Sequence, residues 1–243
     1  MTSEYKINSL EKCQKSSNLK AIIIIPTLNE EENIAKVIQD LGQMGYCDIL
    51  IVDARSTDNT AEIAQKLGVN VIFQTGNGKG NALREAFTNR FVDGDMIVIM
   101  DADGSMSPKE IPLFKKALDS GADLVKGSRF LGNGHSKDLT LFRKIGNHFL
   151  LFLVNLLHST DYSDLCYGFA AFNKNAIEKL HPLLKSKNFE FETEVFIKAK
   201  KLGLKVVEIP SVEQQRKKGK SNLNVAKDGF RILRTIVLEA LKS

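Results

Sequence analysis

Asp101 and Asp103 stand one residue apart at the end of the apolar run Met96–Met100, and Gly104, Ser105 and Pro108 follow them. A run that is apolar without alternation reads as a strand buried on both faces. Two carboxylates at its C-terminal end repel each other and are costly to desolvate, so the pair calls for a cation, a hydrogen-bonding ligand or open water. A hard divalent ion is the strongest of these readings. Mg²⁺ or Mn²⁺ prefers oxygen ligands and is often held by one or two carboxylates, with substrate phosphates completing its shell. Solvated carboxylates at a strand end are the bland alternative.

Other residues are less decisive. Gly76-Asn77-Gly78-Lys79-Gly80 suggests a phosphate loop but has neither the GxxxxGK[ST] nor the GxGxxG spacing, so a plain turn and a nucleotide contact both stay open. Glu190, Glu192 and Glu194 alternate in FEFETE, where one could serve as general base for a hydroxyl acceptor or all could be a charged helix start. The base stays unassigned. His135, His148, His158 and His181 show no metal-ligand spacing, and Cys13, Cys47 and Cys166 argue for neither a disulfide framework nor a zinc site.

These residues need elements to hold them. Apolar runs at Ala21–Ile25, Asp48–Val52, Val69–Phe73, Met96–Met100 and Ala122–Lys126 alternate with helical stretches, including Asn81–Phe91. Asn29 with Glu32, and Ser107 with Pro108 and Glu110, read as helix starts. Such alternation predicts a mostly parallel sheet with helices on both faces and ligands at the strand C-termini. That edge gathers the PTLNE loop, Asp53, the aspartate pair and Gly127-Ser128-Arg129. The second half reads as an apolar helix over Leu139–His158, expected in the core, then a strand-like Tyr167–Phe172, a helix over Glu192–Leu202 and a strand over Lys205–Ile209. A basic loop and an amphipathic helix over Leu223–Leu241 follow, the helix expected to pack against the domain.

Composition sets the class. Of 243 residues, 43% are hydrophobic and 26% charged, as in ordinary soluble globular chains. The net charge of +5 is uneven, with Arg216, Lys217, Lys218, Lys220, Lys227, Arg231 and Arg234 crowded near the C-terminus. No zinc-finger, RNA-binding or basic-zipper pattern accompanies them, so nucleic acid is set aside in favour of a phosphorylated substrate or an anionic membrane surface. Residues 1–19 read as a polar extension rather than a signal peptide. The run Phe149–Leu157 is far shorter than the roughly 20 residues a spanning helix needs. A cytoplasmic protein, peripheral on the inner membrane surface if it meets lipid, is expected.

The order PTLNEEEN, IVDARSTDNT, GKGNALREAF, MDADGSMSP, GSRF, RKIGN, DLCYGF, FEFETE resembles the family 2 inverting glycosyltransferases, and within them the dolichyl-phosphate mannose synthase-like branch. The likeness covers about residues 20 to 230. It implies a single GT-A domain over 20–243, with acceptor-side elements from about 130, and a UDP- or GDP-sugar donor. Pro26, Thr27, Leu28 and Glu30 with Asp53 would hold base and ribose, and Lys79 would lie near the nucleotide. Asp101-Ala102-Asp103 looks like the DxD motif, with Asp103 favoured as the direct metal ligand. Arg129 and Arg143 match positions that bind an acceptor phosphate, Asp164 would line the sugar pocket, and Lys218 and Lys220 lie on a mobile acceptor loop. Catalytic roles fall on this resemblance to Asp101, Asp103, Arg129 and Asp164.

Departures are visible too. Leu28 stands where the family often has Tyr, Ala54-Arg55 replace Asp-Gly, and Ser105 stands where relatives often have Gln. The acceptor expected is a polyprenyl phosphate. The alternatives are a soluble hydroxyl acceptor and, from another class, a sugar nucleotidyltransferase.

Overall fold

The first strand explains why its sequence does not alternate. β1 (Ala21–Thr27) sends Ile22 and Ile24 into one apolar cluster and Ile23 and Ile25 into another, on opposite faces of the sheet. Successive strand side chains point to opposite faces, so a strand covered on both sides needs every residue apolar. The computed structural model describes residues 20–89, 93–219 and 222–242. The polar extension expected over residues 1–19, the expected helix end at Phe91 and the candidate Lys220 lie outside the described residues.

The remaining strands are β2 (Ile49–Asp53), β3 (Asn70–Phe73), β4 (Met96–Ile99), β5 (Leu124–Ser128), β6 (His135–Ser136), β7 (Ala170–Asn173), β8 (Val206–Pro210) and β9 (Val212–Glu213). Seven form one sheet in the order β3-β2-β1-β4-β7-β5-β8, parallel except for β7, which runs antiparallel to both β4 and β5. β6 and β9 pair separately. The helices are α1 (Ile34–Gln43), α2 (Thr60–Lys66), α3 (Lys79–Phe87), α4 (Ile111–Asp119), α5 (Leu141–His158), α6 (Lys174–Leu180), α7 (Phe191–Lys201) and α8 (Val225–Ala240). α1, α2 and α4 supply Val37, Ala64 and Phe114 to one cluster; α3, α5, α6, α7 and α8 supply Leu83, Val154, Ile177, Phe196 and Ile236 to the other. This is the expected α/β architecture. No helix among the described residues is long and apolar enough to cross a membrane.

Local expectations fail where a side chain is taken by a distant partner. Asn29 caps no helix: its φ is 55° and its Oδ1 accepts from Thr57 N at 2.8 Å, tying the PTLNE loop to the next loop. A helix does start after Ser107, a 3₁₀ turn over Pro108–Glu110 that runs into α4, but the Ser107 side chain caps nothing and Glu110 accepts from Ser211 Oγ and, at 3.0 Å, from Val212 N instead of closing a capping box. Cys47 is disulfide-bonded, where the sequence indicated no disulfide framework. α5 is not wholly a core helix: only Asn147, Leu150, Leu151 and Val154 are buried. α8 does pack against the domain through Ile232 and Ile236, yet its outer side keeps Phe230 and Val237 exposed, as is Leu241 just beyond its end.

Candidate active site

β1 lies between β2 and β4, and the chain leaves it in one direction through β2 and β3 before returning to β4 on the other side. Such a switch point opens a crevice beyond the strand C-termini. A cavity of about 520 Å³ occupies it here, within the size range of small-molecule sites.

At one end the cavity is lined by Pro26, Thr27, Leu28, Glu30, Lys79, Asp101, Ala102, Asp103 and Ser105. Lys79 Nζ sits 2.6 Å from Asp101 Oδ1 and 2.8 Å from Glu192 Oε1. Burial alone would lower its pKa, but the two carboxylates outweigh it and hold the ammonium far above its ordinary pKa. Glycines make this contact fit. Gly78 has φ 94°, and a Cβ there would stand 2.3 Å from Lys187 O; a Cβ at Gly168 would stand 2.7 Å from Lys79 Nζ. The glycines of the loop thus have a packing reason of their own.

Asp103 Oδ1 accepts from Ser105 N at 2.9 Å, and its Oδ2 lies 3.9 Å from Arg216 Nε, which is buried without a hydrogen-bond partner among the described residues. Arg216 also pairs with Glu30, Nη1 to Oε1 at 2.9 Å. Burial raises the Glu30 carboxyl above its usual range, with Asn33 and Arg216 offsetting only part of that. Arg216 is the cation that the sequence reading missed. Lys218, chosen from the same basic run, is exposed, 3.8 Å from Glu32 and away from the cavity wall. Nothing in RKKGK distinguishes the residue that turns inward.

Asp53 is fully buried but is not among the cavity's lining residues. Its carboxylate accepts from Thr27 Oγ1 at 2.9 Å and from Ser56 N and Oγ, both at 2.7 Å, so it braces the loop that does line the cavity.

At the other end stand Arg129, Arg143, Asn147, Glu213, Lys227 and Arg231. Arg129 is buried in a two-pronged pair with Asp164, Nε to Oδ2 at 2.7 Å and Nη2 to Oδ1 at 3.0 Å, and its Nη1 reaches Glu213 at 3.2 Å. Asp164 is fully buried behind Arg129 and forms no part of the cavity wall. Burial pushes its carboxyl up, and Arg129 more than reverses this, holding it below the ordinary range. Beneath the pair, buried Lys126 donates to Asp164 O and lies 3.1 Å from Glu208. Arg143 is partly exposed, with a 3.4 Å bond to Asp138. Asn147 Oδ1 accepts from Cys166 N at 3.1 Å, leaving its buried Nδ2 without a partner among the described residues.

The model of the glycosyl transferase family 2 matches residues 22–181. The chain belongs to glycosyltransferase family 2. This glycosyltransferase is 32% identical to glycosyltransferase AglJ of Haloferax volcanii over 208 residues, covering 85% of this chain and 67% of that protein. It is 33% identical to a dolichol-phosphate mannosyltransferase of Pyrococcus furiosus, covering 90% of this chain but 63% of that longer protein. Its fold is that of glucosyl-3-phosphoglycerate synthase from Mycobacterium tuberculosis, solved with Mn²⁺, UDP and glucosyl-3-phosphoglycerate, with a TM-score of 0.72 at 19% identity over 95% of this chain and 82% of that one. Family membership settles the class of reaction, and the nucleotidyltransferase alternative falls.

A metal site in this glycosyltransferase would have few protein ligands. Among the described residues no group of three or more His, Cys, Asp and Glu surrounds one point. Asp101 and Asp103 line the cavity with side chains 32% and 21% exposed. Two carboxylates with room for substrate oxygens fit the donor chemistry of Mg²⁺ or Mn²⁺. Of the three alternating glutamates, Glu194 is spent on Lys198 and on Lys185 and Ser186 N, and Glu190 accepts from Lys187 and Asn188 N. Glu192 alone of the three lines the cavity, and its Oε2 is buried without a partner among the described residues.

Proposed function

We propose that this enzyme transfers a sugar, with inversion, from a UDP- or GDP-sugar to a polyprenyl phosphate and requires Mg²⁺ or Mn²⁺. One observation carries the reading. A single cavity joins the Asp101/Asp103 pair to Arg129, Arg143, Lys227 and Arg231 and then to an apolar wall of Leu139, Leu150, Val225 and Ile232. The carboxylate end suits a metal-bound diphosphate, the cationic end an acceptor phosphate, and the apolar wall the first carbons of its chain. The dolichol-phosphate mannosyltransferase relative supports the acceptor class, and the Mn²⁺ and UDP of the structural neighbour support the donor side.

Pro26 to Glu30 would hold the nucleoside, braced by Asp53, and Asp101 and Asp103 would hold the cation. When bound, that ion neutralises the diphosphate and so eases its departure. Lys79 keeps Asp101 and Glu192 from repelling each other across the site. Arg143 and Arg129, the latter fixed by Asp164 and Glu213, orient the acceptor phosphate. Its oxygen attacks the anomeric carbon from the face opposite the diphosphate; the new C–O bond forms as the old one breaks, and the electron pair leaves with the nucleoside diphosphate. A phosphate acceptor is already an anion and needs no base. Such an enzyme would work as a peripheral protein on the cytoplasmic side of the membrane.

The test is thermal stability with UDP or GDP, with and without Mn²⁺. A ligand at 100 times its dissociation constant adds about 2.7 kcal/mol, which is roughly 5–10 °C for a chain of this size. A Mn²⁺-dependent shift that disappears in Asp103→Asn is expected; an equal shift in that variant would remove the carboxylate pair from the donor site.

The orphan Oε2 of Glu192 favours a second reading, a hydroxyl acceptor with Glu192 as general base. Glu192→Gln separates the two. General-base catalysis is worth about 10²–10⁴-fold, so loss on that scale together with the acidic limb of the pH–rate profile points to a hydroxyl, and a smaller loss with the profile retained points to a phosphate.

A further inference from the structure

The large exposed apolar side chains of α5 are concentrated on one side. Leu141, Phe142, Ile145, Phe149, Phe152 and Leu156 are each 56–73% exposed, and at 3.6 residues per turn they fall within an arc of roughly 100°. The buried residues of α5 occupy its opposite side. A broad apolar arc on a helix belongs against a core or lipid, and this one lies opposite the side that meets the core. Next to it, α8 exposes Phe230 and Val237 together with Lys227 and Arg234, and Leu241 is exposed just beyond its end. The two helices run side by side in the same direction. The cavity is lined by Gly146 and Leu150 of α5 and by Gly229 and Ile232 of α8, and His158 at the end of α5 meets Ile236 O at 3.0 Å.

Charge selects what covers this face. The exposed charged residues of α5 and α8 are Lys144, Lys227 and Arg234, all cations. The acids of α8, Asp228 and Glu239, are buried, the first paired with Arg231 and the second with Lys242. A second copy would set cation against cation, whereas an anionic lipid surface complements them and takes up the apolar arc as well. The cavity reaches these two helices at Gly146 and Gly229. A Cβ added at Gly146 or Gly229 would meet nothing within 4 Å, so the lining between the helices is open where a hydrocarbon chain would pass.

We propose that the α5–α8 face seats the enzyme on an anionic lipid leaflet, with Phe142, Phe149 and Phe152 entering the acyl layer and Lys144, Lys227 and Arg234 meeting the headgroups. Docking needs no acceptor; its use, bringing a lipid-borne acceptor to the cavity, rests on the function proposed above.

The test is flotation of the full chain with phosphatidylcholine vesicles, with and without phosphatidylglycerol and free of any acceptor. Wild type should float with the anionic vesicles. Phe149→Asp/Phe152→Asp should lower the partition at least about tenfold, since each Phe gives up its burial in the acyl layer. Lys227→Glu/Arg234→Glu should abolish the preference for phosphatidylglycerol. Both variants change exposed residues, and their unfolding temperatures should match wild type. Failure of wild type to float, or flotation of the Phe149/Phe152 variant equal to wild type, overturns the proposal. So does a wild-type dimer, seen by sedimentation, that this variant dissociates. Geranyl phosphate, a water-soluble short-chain acceptor, separates this failure from that of the functional reading: its turnover without vesicles by an enzyme that does not float leaves the function standing and removes the docking face.

Discussion

A guanidinium held by carboxylates on two sides orients more than it binds. Arg129 gives Nε and Nη2 to Asp164 and Nη1 to Glu213, and Asp164 in turn accepts from Arg129 N at 3.2 Å and Cys166 N at 3.2 Å. Asp164 therefore fixes the cation that faces the cavity, and it does so with no exposed surface of its own. Removing one partner of a buried pair typically costs about 3–5 kcal/mol, because the remaining charge is stranded. Asp164→Asn should lower the unfolding temperature by roughly 6–20 °C, with each kcal/mol worth about 2–4 °C in a chain of this size. Thermal unfolding of the variant checks this. Unchanged stability with turnover lost would instead make Asp164 a participant in the chemistry rather than a brace.

At the scale of elements, the sequence was legible wherever burial alone decides. β1, β2 and β4 are covered on both faces, and their unbroken apolar runs can be nothing but central strands. The edge of the sheet where PTLNE and MDAD gather follows from that topology, and so does half of the site. The misreadings share one cause. Asn29 and Glu110 have helix-start spacing, yet each finds a better partner far along the chain, Thr57 for one and Ser211 with Val212 for the other. No local rule weighs such partners. Arg216 was missed for the same reason, since only the fold brings it to Glu30 and Asp103. β7, antiparallel between two parallel neighbours, left no mark in its composition. In α5 the apolar character was visible, but a helix with apolar residues on two opposite sides does not reveal which side its own domain covers.

Across the whole molecule, buried acids and one histidine pull in opposite directions as pH falls. Burial lifts Glu30 and Glu110 above the ordinary value of 4.5. The native chain thus takes up these protons before the unfolded one, and stability rises as pH falls through their folded pKa toward 4.5. Burial lowers the imidazole of His158 below 6.5. Its share of stability is complete above 6.5 and is lost as pH falls through the lowered folded value. Asp164 is depressed by Arg129 against its burial, Glu194 by Lys198 against its burial, and Asp123 first by the hydrogen bond from Lys205 N. Their contributions are present above the unfolded values of 3.8 and 4.5 and are lost as pH falls below them. Between pH 6.5 and 4.5 the first two effects oppose each other, and below 4.5 the unfolding temperature should drop steeply. Relative to wild type, Glu30→Gln should tilt the curve between 6.5 and 4.5 downward toward acid, because His158 then acts with less opposition; His158→Gln should tilt it upward. Parallel curves for wild type and both variants would mean that neither group changes its protonation on folding, and the balance would have to lie in other residues.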